Sequence, residues 1–339
     1  MESLFCKSND EIVSILGLEK PFQAKIIYQN LIKGIYDFNA MTSLPKALRE
    51  RLESERKHVL TGEIIRKEEA DSTIKLAVRF PDEAIIECVR LSDGNDRYTA
   101  CLSSQVGCAM GCAFCKTGTM GLVRNLTAGE IVEQFALLES LGEKISHIVF
   151  MGMGEALANF TAAMDAIHEL HREDGFGISY RRMTISTCGL VPGIKKLTEL
   201  DIPVRLAISL VAADDKTRSS IMKINRSYPL SELKSALISF QRHQDRRLTL
   251  EYCMLHDVNT SAESANELAS FCRGLDALVN LIPWNTIPEL GFETPSDAEI
   301  KAFENNLKKL RVNYTIRRSK GRSIGGACGQ LATETAKKQ

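Results

Sequence analysis

The spacing of apolar and polar residues changes twice along the chain. Residues 1 to about 60 read as helical. Asp10 is placed to cap a short helix through Leu16, Pro21 suits the first turn of a second helix reaching about Gly34, and Pro45 opens the charged run KALRERLESERK. From about Glu63 to Cys101 the period falls to two. TIKLAVRF (73–80) and AIIECVRL (84–91) read as strands, with turn signals at Pro81-Asp82 and Asp93-Gly94. Strand and helix then alternate. Strands are expected at HIVFM (147–151), MTIST (183–187), VRLAISL (204–210), LTLEYCML (248–255), ALVNLI (277–282) and VNYTI (312–316). Amphipathic helices are expected at 128–141, 161–171, 230–243, 262–272 and 297–310.

Repeated strand–helix units mean a parallel sheet, and about six are too few for a closed eight-stranded barrel. The expected fold is therefore α/β, a partial (βα)6 barrel with a small N-terminal helical and β accessory module. The divisions expected are a helical domain at 1–60, a β-rich connection at 61–100, a core at 101–318 and a C-terminal loop and tail at 319–339. In such folds the site forms at the C-terminal ends of the strands.

A hydrophobic fraction of 44% and a charged fraction of 25% fit an ordinary globular protein. No run approaches the ~18 apolar residues of a membrane span. The N-terminus also lacks the basic-then-apolar pattern of a signal peptide. The expectation is a cytoplasmic chain with no membrane partner and with its ten cysteines reduced. Lys+Arg and Asp+Glu both total 43, so bulk charge does not announce nucleic acid. Any such contact falls to local clusters: Arg181-Arg182, Arg242 to Arg247, the 317–322 tail, and the helix around Lys46, Arg49, Arg51, Arg56 and Lys57.

Three of the ten cysteines fall within eight residues, as CxxxCxxC at Cys108, Cys112 and Cys115. Thiolates bind soft metals and clusters, and zinc would want a second CxxC pair that this chain lacks. Three thiolates leave one iron of a four-iron cluster free to chelate the amino and carboxylate groups of a methionine moiety. The small residues Gly107, Ala109, Gly111 and Ala113 let the backbone pass close to such a cluster. Cys6, Cys88, Cys188, Cys253 and Cys272 fit no motif and are expected to be buried as small hydrophobes.

The CxxxCxxC spacing is the signature of the radical S-adenosylmethionine (SAM) superfamily. GCAMGCAFCKTGTMGLVRNLTAGEIVEQ, MGMGEALAN, RRMTISTCGLVPGIKKL, LAISL, EYCML, NLIPWN and ACGQLA together resemble the RlmN/Cfr family of RNA adenine methyltransferases, the RlmN branch most of all. The resemblance runs from about Tyr98 to Ala332 and marks the 101–318 core as a radical SAM domain. It implies a [4Fe-4S] cluster on Cys108, Cys112 and Cys115 and two SAM molecules per turnover. SAM contacts are implied at Gly154, Glu155, Ser186, Ser209, Leu210, Val211 and Asn285. By the same resemblance, one SAM methylates Cys328, and a radical from the second activates that methyl group for addition to carbon 2 of an adenosine. Cys101 then frees the product through a transient disulfide. Arg317, Arg318, Lys320 and Arg322 are placed to lower the pKa of a nearby thiol. Glu87 matches the family's proton acceptor, with one residue more between it and Cys101 than is usual. The implied partners are 23S rRNA, tRNA as a second substrate, and an electron donor such as flavodoxin or ferredoxin, with the chain a monomer.

Six positions depart from the family pattern. Val211 stands where histidine is usual, and Ser323-Ile324-Gly325-Gly326 stands where Asp-Ile-Asp-Ala is usual. Lys116 replaces a common alanine, and Ala156 replaces the proline common in the RlmN branch. GEALAN resembles the Cfr branch. The alternatives are thus a Cfr-like carbon-8 methyltransferase conferring antibiotic resistance, or a cluster-bearing RNA-binding protein without methylation activity.

Overall fold

The computed structural model describes residues 2–56, 59–94, 97–317 and 320–332. Lys57, Arg318 and the 333–339 tail lie outside them. Helix α1 (Asn9–Leu16) starts at Ser8 and not at the expected Asp10. Ser8 Oγ accepts from Glu11 N while the Glu11 carboxylate accepts from Ser8 N, so two orphan donors are satisfied reciprocally. Helix α2 (Pro21–Ile32) carries proline in its first turn. Helix α3 (Lys46–Arg56) packs back on α1, where Arg51 donates to the terminal carbonyls Leu16 O and Gly17 O. Arg49 donates to Leu44 O and Asn39 O, and Lys46 pairs with Glu50. Arg49 and Arg51, two of the basic side chains expected to grip RNA, thus tie the N-terminal module together through backbone carbonyls.

Strands β1 (Glu63–Ala70), β2 (Thr73–Arg79), β3 (Ile85–Ser92) and β4 (Tyr98–Cys101) form an antiparallel meander. Next comes a separate hairpin, β5 (Gln105–Cys108) with β6 (Gly121–Asn125). The meander and the barrel share one sheet, which continues in parallel from β4 through β7 (Ile145–Phe150), β8 (Met183–Thr187), β9 (Arg205–Ser209), β10 (Leu248–Met254), β11 (Ala277–Pro283) and β12 (Tyr314–Ile316). Helices α4 (Ala128–Glu139), α5 (Phe160–His171), α6 (Val191–Glu199), α7 (Asp215–Ile221), α8 (Leu230–Gln244), α9 (Ala262–Cys272) and α10 (Asp297–Lys309) fill the crossovers. Parallel strands require such crossovers, and the pattern is the expected partial barrel. Among the described residues no helix is long and apolar enough to cross a membrane.

One apolar core runs from Leu4 to Leu331 and joins the N-terminal helices to the sheet and its outer helices. A second, smaller apolar cluster gathers Cys188, Val211, Met222 and Trp284 at strand ends, with Cys112 and Phe114 packed on it. After β12 the chain returns over β2 and β3. Lys320 Nζ donates to Ser92 O at 2.6 Å, and Ala332 N donates to Glu87 Oε2 at 2.9 Å. In register, Lys75 lies opposite Val89 and Val89 opposite Cys101, so tail, meander and Cys101 share one face.

Candidate active site

The three clustered cysteines occupy the tip of the β5–β6 hairpin. Cys108 ends β5 opposite Gly121, and Gly107 adopts φ +77°, where an added Cβ would stand 2.0 Å from Gly121 O. Only glycine fits there. The tip is fixed from three sides: Ala113 N donates to Ile221 O (2.9 Å), Trp284 Nε1 to Phe114 O (2.9 Å) and Lys116 N to Gly329 O (2.8 Å). The sulfurs of Cys108, Cys112 and Cys115 are not all within 4.8 Å of one another; among the described residues only His256, Asp257 and Glu299 form so tight a group. A zinc ion with Zn–S of about 2.3 Å cannot join sulfurs more than about 4.6 Å apart. Wider spacing suits the corners of an iron–sulfur cube, and the apolar packing around the tip suits its low-dielectric environment. The donor set fits a four-iron cluster.

Strand ends surround this tip. After β7 the chain turns through Gly154 (φ +100°), where a Cβ would meet Gln105 Cβ at 2.6 Å. Glu155 follows, buried, its carboxylate accepting from Leu157 N (3.2 Å) and Cys188 N (2.8 Å). Burial pushes its carboxyl up, against those hydrogen bonds. Ser186 and Ser209 are half-buried near the ends of β8 and β9. Leu210 N and Val211 N both donate to Glu251 O (3.0 and 3.3 Å), and Ala212 N closes a tight turn onto Leu210 O (2.7 Å). That turn gives Val211 φ +62°, a strained conformation for a β-branched side chain beside the second apolar cluster. Asn285, beyond β11, donates to Cys328 O at 3.0 Å, and its Oδ1 is buried without a donor. An orphan acceptor, a glycine-lined turn and a buried carboxylate fit a ligand rich in N–H and O–H groups, as SAM is.

Cys101 and Cys328 line one cavity of about 380 Å³. Cys101 ends β4, and alternation along β4 and β7 turns Thr99, Cys101, His147, Val149 and Met151 into the same lumen. Cys328 is exposed to this cavity, while the protein around it still pushes its thiol up to about 11; burial and then neighbouring Cys328 push Cys101 up to about 12. Arg317 lowers both, as expected of the basic tail, but burial wins. Glu87 does not line the cavity. Fully buried on β3, it faces Arg66 and Lys75 at 3.3 Å and accepts from Ala332 N; burial, opposed first by Lys75, raises its carboxyl.

At its other end the cavity opens among Arg97, Arg182, Arg205, Arg317 and Lys320, all exposed. Arg97 pairs with Asp93, whereas no carboxylate among the described residues pairs with Arg182 or Arg205. Burial, then Arg97, Arg182 and Arg205, hold His147 down at about 4. Of the basic clusters expected from sequence, Arg182 and the tail residues Arg317 and Lys320 reach this rim; Arg242 and Arg247 are exposed and line no part of the cavity.

Sequence reasoning missed Arg218, Cys188 and Gln105 at this site. Gln105 was legible only as a neighbour of the cysteine motif, yet its Oε1 accepts from Glu155 N at 2.9 Å. Cys88 and Cys188 are buried as expected, but Cys6, Cys253 and Cys272 are only half-buried.

The model of the radical SAM superfamily matches residues 102–269, which include all three clustered cysteines. The dual-specificity RNA methyltransferase RlmN of Anaeromyxobacter dehalogenans is 45% identical over 331 residues, covering 94% of this chain and 88% of that protein. A probable dual-specificity RNA methyltransferase RlmN of Carboxydothermus hydrogenoformans is 43% identical, covering 98% of each. The crystal structure of a radical SAM methyltransferase from Sphaerobacter thermophilus superposes with a TM-score of 0.91 at 40% identity, over 98% of this chain and 99% of that one.

Proposed function

The chain belongs to the radical SAM superfamily and, within it, to the RlmN family of RNA methyltransferases, and from that premise we propose that it methylates carbon 2 of an adenosine in 23S rRNA, with tRNA as a second substrate. The observation that carries this reading is the single cavity shared by Cys101 and Cys328. Carbon 2 of adenine sits between two ring nitrogens and is too electron-poor to attack a SAM methyl group. A [4Fe-4S] cluster on Cys108, Cys112 and Cys115, with two SAM molecules per turnover, supplies methyl transfer and radical chemistry when bound. Gly154, Glu155, Ser186, Ser209, Leu210, Val211 and Asn285 bind SAM.

The remaining steps fall to this chain. Cys328 takes the methyl group on sulfur as a thiolate and carries it to the base. Its S-methyl carbon, after losing one hydrogen atom to the radical that the second SAM would supply, becomes bonded to carbon 2, and the proton that the ring gives up passes to Glu87 by relay, since Glu87 does not line the cavity. Cys101 then attacks the Cys328 sulfur as a thiolate; the sulfur–carbon bond breaks with its electron pair going to the carbon, which takes up a proton to become the methyl group, and a Cys101–Cys328 disulfide is left. An electron donor such as flavodoxin or ferredoxin would feed the cluster, and a two-electron thiol reductant returns the Cys101–Cys328 disulfide to thiols before the next turnover. The unpaired rim arginines support an RNA partner, because a target base must be drawn out of its stack and its phosphates held. The test is mass spectrometry of digested 23S rRNA and tRNA after reaction with SAM and reductant. 2-Methyladenosine is expected; 8-methyladenosine, or no methylated adenosine, overturns the proposal.

A further inference from the structure

Arg218, on α7, is fully buried. Fully buried arginines are rare unless an anion pairs with them, because desolvating a charge costs several kcal/mol. Here the guanidinium has hydrogen bonds but no counter-charge. Nε donates to Leu210 O (3.0 Å), Nη1 to Asn225 Oδ1 (2.8 Å), and Nη2 to Cys188 O (2.6 Å) and Ser209 O (3.4 Å), all neutral acceptors. No carboxylate among the described residues lies within 4.0 Å of it. Asp215 is reached only through the Asn225 amide, at 2.9 Å from Asn225 Nδ2. Glu155, the buried carboxylate of this region, is held by the Leu157 and Cys188 amides.

Arg218 is, however, built into the support of the cysteine loop. Ile221, three residues on in α7, accepts from Ala113 N between Cys112 and Cys115. Cys188, whose carbonyl Arg218 holds, belongs to the apolar cluster on which Cys112 packs. Three thiolates outweigh the positive charge of an iron–sulfur core, so the loaded site is anionic, and more so after gaining an electron. The potentials of such clusters follow their net charge and surroundings. We propose that Arg218 is the buried counter-charge of the cluster, raising its reduction potential by offsetting the negative charge of the thiolates and the incoming electron. The inference rests on the cluster assignment to Cys108, Cys112 and Cys115.

The test uses the full chain, reconstituted anaerobically without SAM, with the reduced cluster quantified by electron paramagnetic resonance during a redox titration. Arg218→Lys keeps the charge, while Arg218→Gln and Arg218→Met remove it, one with and one without polar atoms in its place. With Arg218→Gln and Arg218→Met, the ratio of reduced to oxidised cluster at a fixed potential falls at least tenfold, which for one electron is about 59 mV. Arg218→Lys stays within about threefold of wild type, because its charge is kept. Loss of iron by both neutralised variants but not by Arg218→Lys supports the same dependence on charge. The proposal is overturned if the neutralised variants titrate with wild type or if Arg218→Lys falls as far as Arg218→Gln. It is also overturned if all three variants lose iron alike, or if a shift appears only once SAM is added. A wild-type chain that binds no iron would instead refute the cluster assignment.

Discussion

Removing Arg182 and Arg205 together tests whether the basic rim holds RNA phosphates. Both are exposed at the cavity mouth, neither has a carboxylate partner among the described residues, and both depress His147. If each contacts one phosphate of a single-stranded segment, Arg182→Ala/Arg205→Ala lowers the slope of log K against log salt by about 1.4, at about 0.7 per contact. Over a fourfold rise from about 50 to 200 mM salt, wild type then loses about sevenfold more affinity than the variant. The assay is RNA binding by fluorescence anisotropy across that range, with iron content measured to confirm an intact cysteine loop. A second readout is internal to the protein. The His147 pKa, held at about 4 by burial and then by Arg97, Arg182 and Arg205, rises in the variant when followed by NMR. Unchanged affinity and slope alongside a raised His147 pKa would show that the rim faces the lumen but does not hold RNA phosphates.

Changing Cys108, Cys112 or Cys115 to Ala is expected to abolish iron binding on anaerobic reconstitution, whereas stoichiometric zinc with full activity would contradict the cluster. Trp284→Phe leaves Phe114 O without its donor, at a cost of about 1–3 kcal/mol; cluster loss on dilution, followed by absorbance, is expected to quicken while the fold by circular dichroism persists. Glu87→Ala strips the buried Lys75 of one of its two carboxylates and the tail of its anchor; the expected loss is about 3 kcal/mol in denaturant unfolding. The Cys328 thiol at about 11 implies that iodoacetamide labelling rises about tenfold per pH unit from pH 7 to 10, with Cys101, at about 12, lagging behind. Both thiols keep in the native state a proton that the unfolded chain gives up near 9.0, so their contribution to stability is lost as pH rises above that value.

The barrel strands were legible because each is a short apolar run between amphipathic helices, and all six expected runs became β7 to β12. What escaped lacked such contrast. β1, EIIRKEEA, is largely exposed and reads as a charged surface segment; only pairing with β2 makes it a strand. The β5–β6 hairpin is broken by the cysteine tip, and α7 has seven residues, too few to show a helical period. At the site, clustered thiols announce themselves through spacing, whereas Cys101 and Cys328 lie 227 positions apart and were linked only by family resemblance. Arg218 carries no sequence signal at all, since one arginine in DKTRSSI looks like any surface cation. Its meaning comes from tertiary burial. In the basic N-terminal helix the charge was visible, but not that Arg49 and Arg51 donate to backbone carbonyls.

In the proposed reaction Cys328 carries the methyl group and Cys101 releases it. Cys101→Ala tests this most directly, since without a partner thiol the base cannot be freed from Cys328. The variant is expressed in cells, and the purified protein is run on a denaturing gel with and without ribonuclease, followed by peptide mass spectrometry. A ribonuclease-sensitive covalent RNA adduct on Cys328 is expected, absent from Cys101→Ala/Cys328→Ala. Normal turnover by Cys101→Ala with no trapped RNA would contradict it.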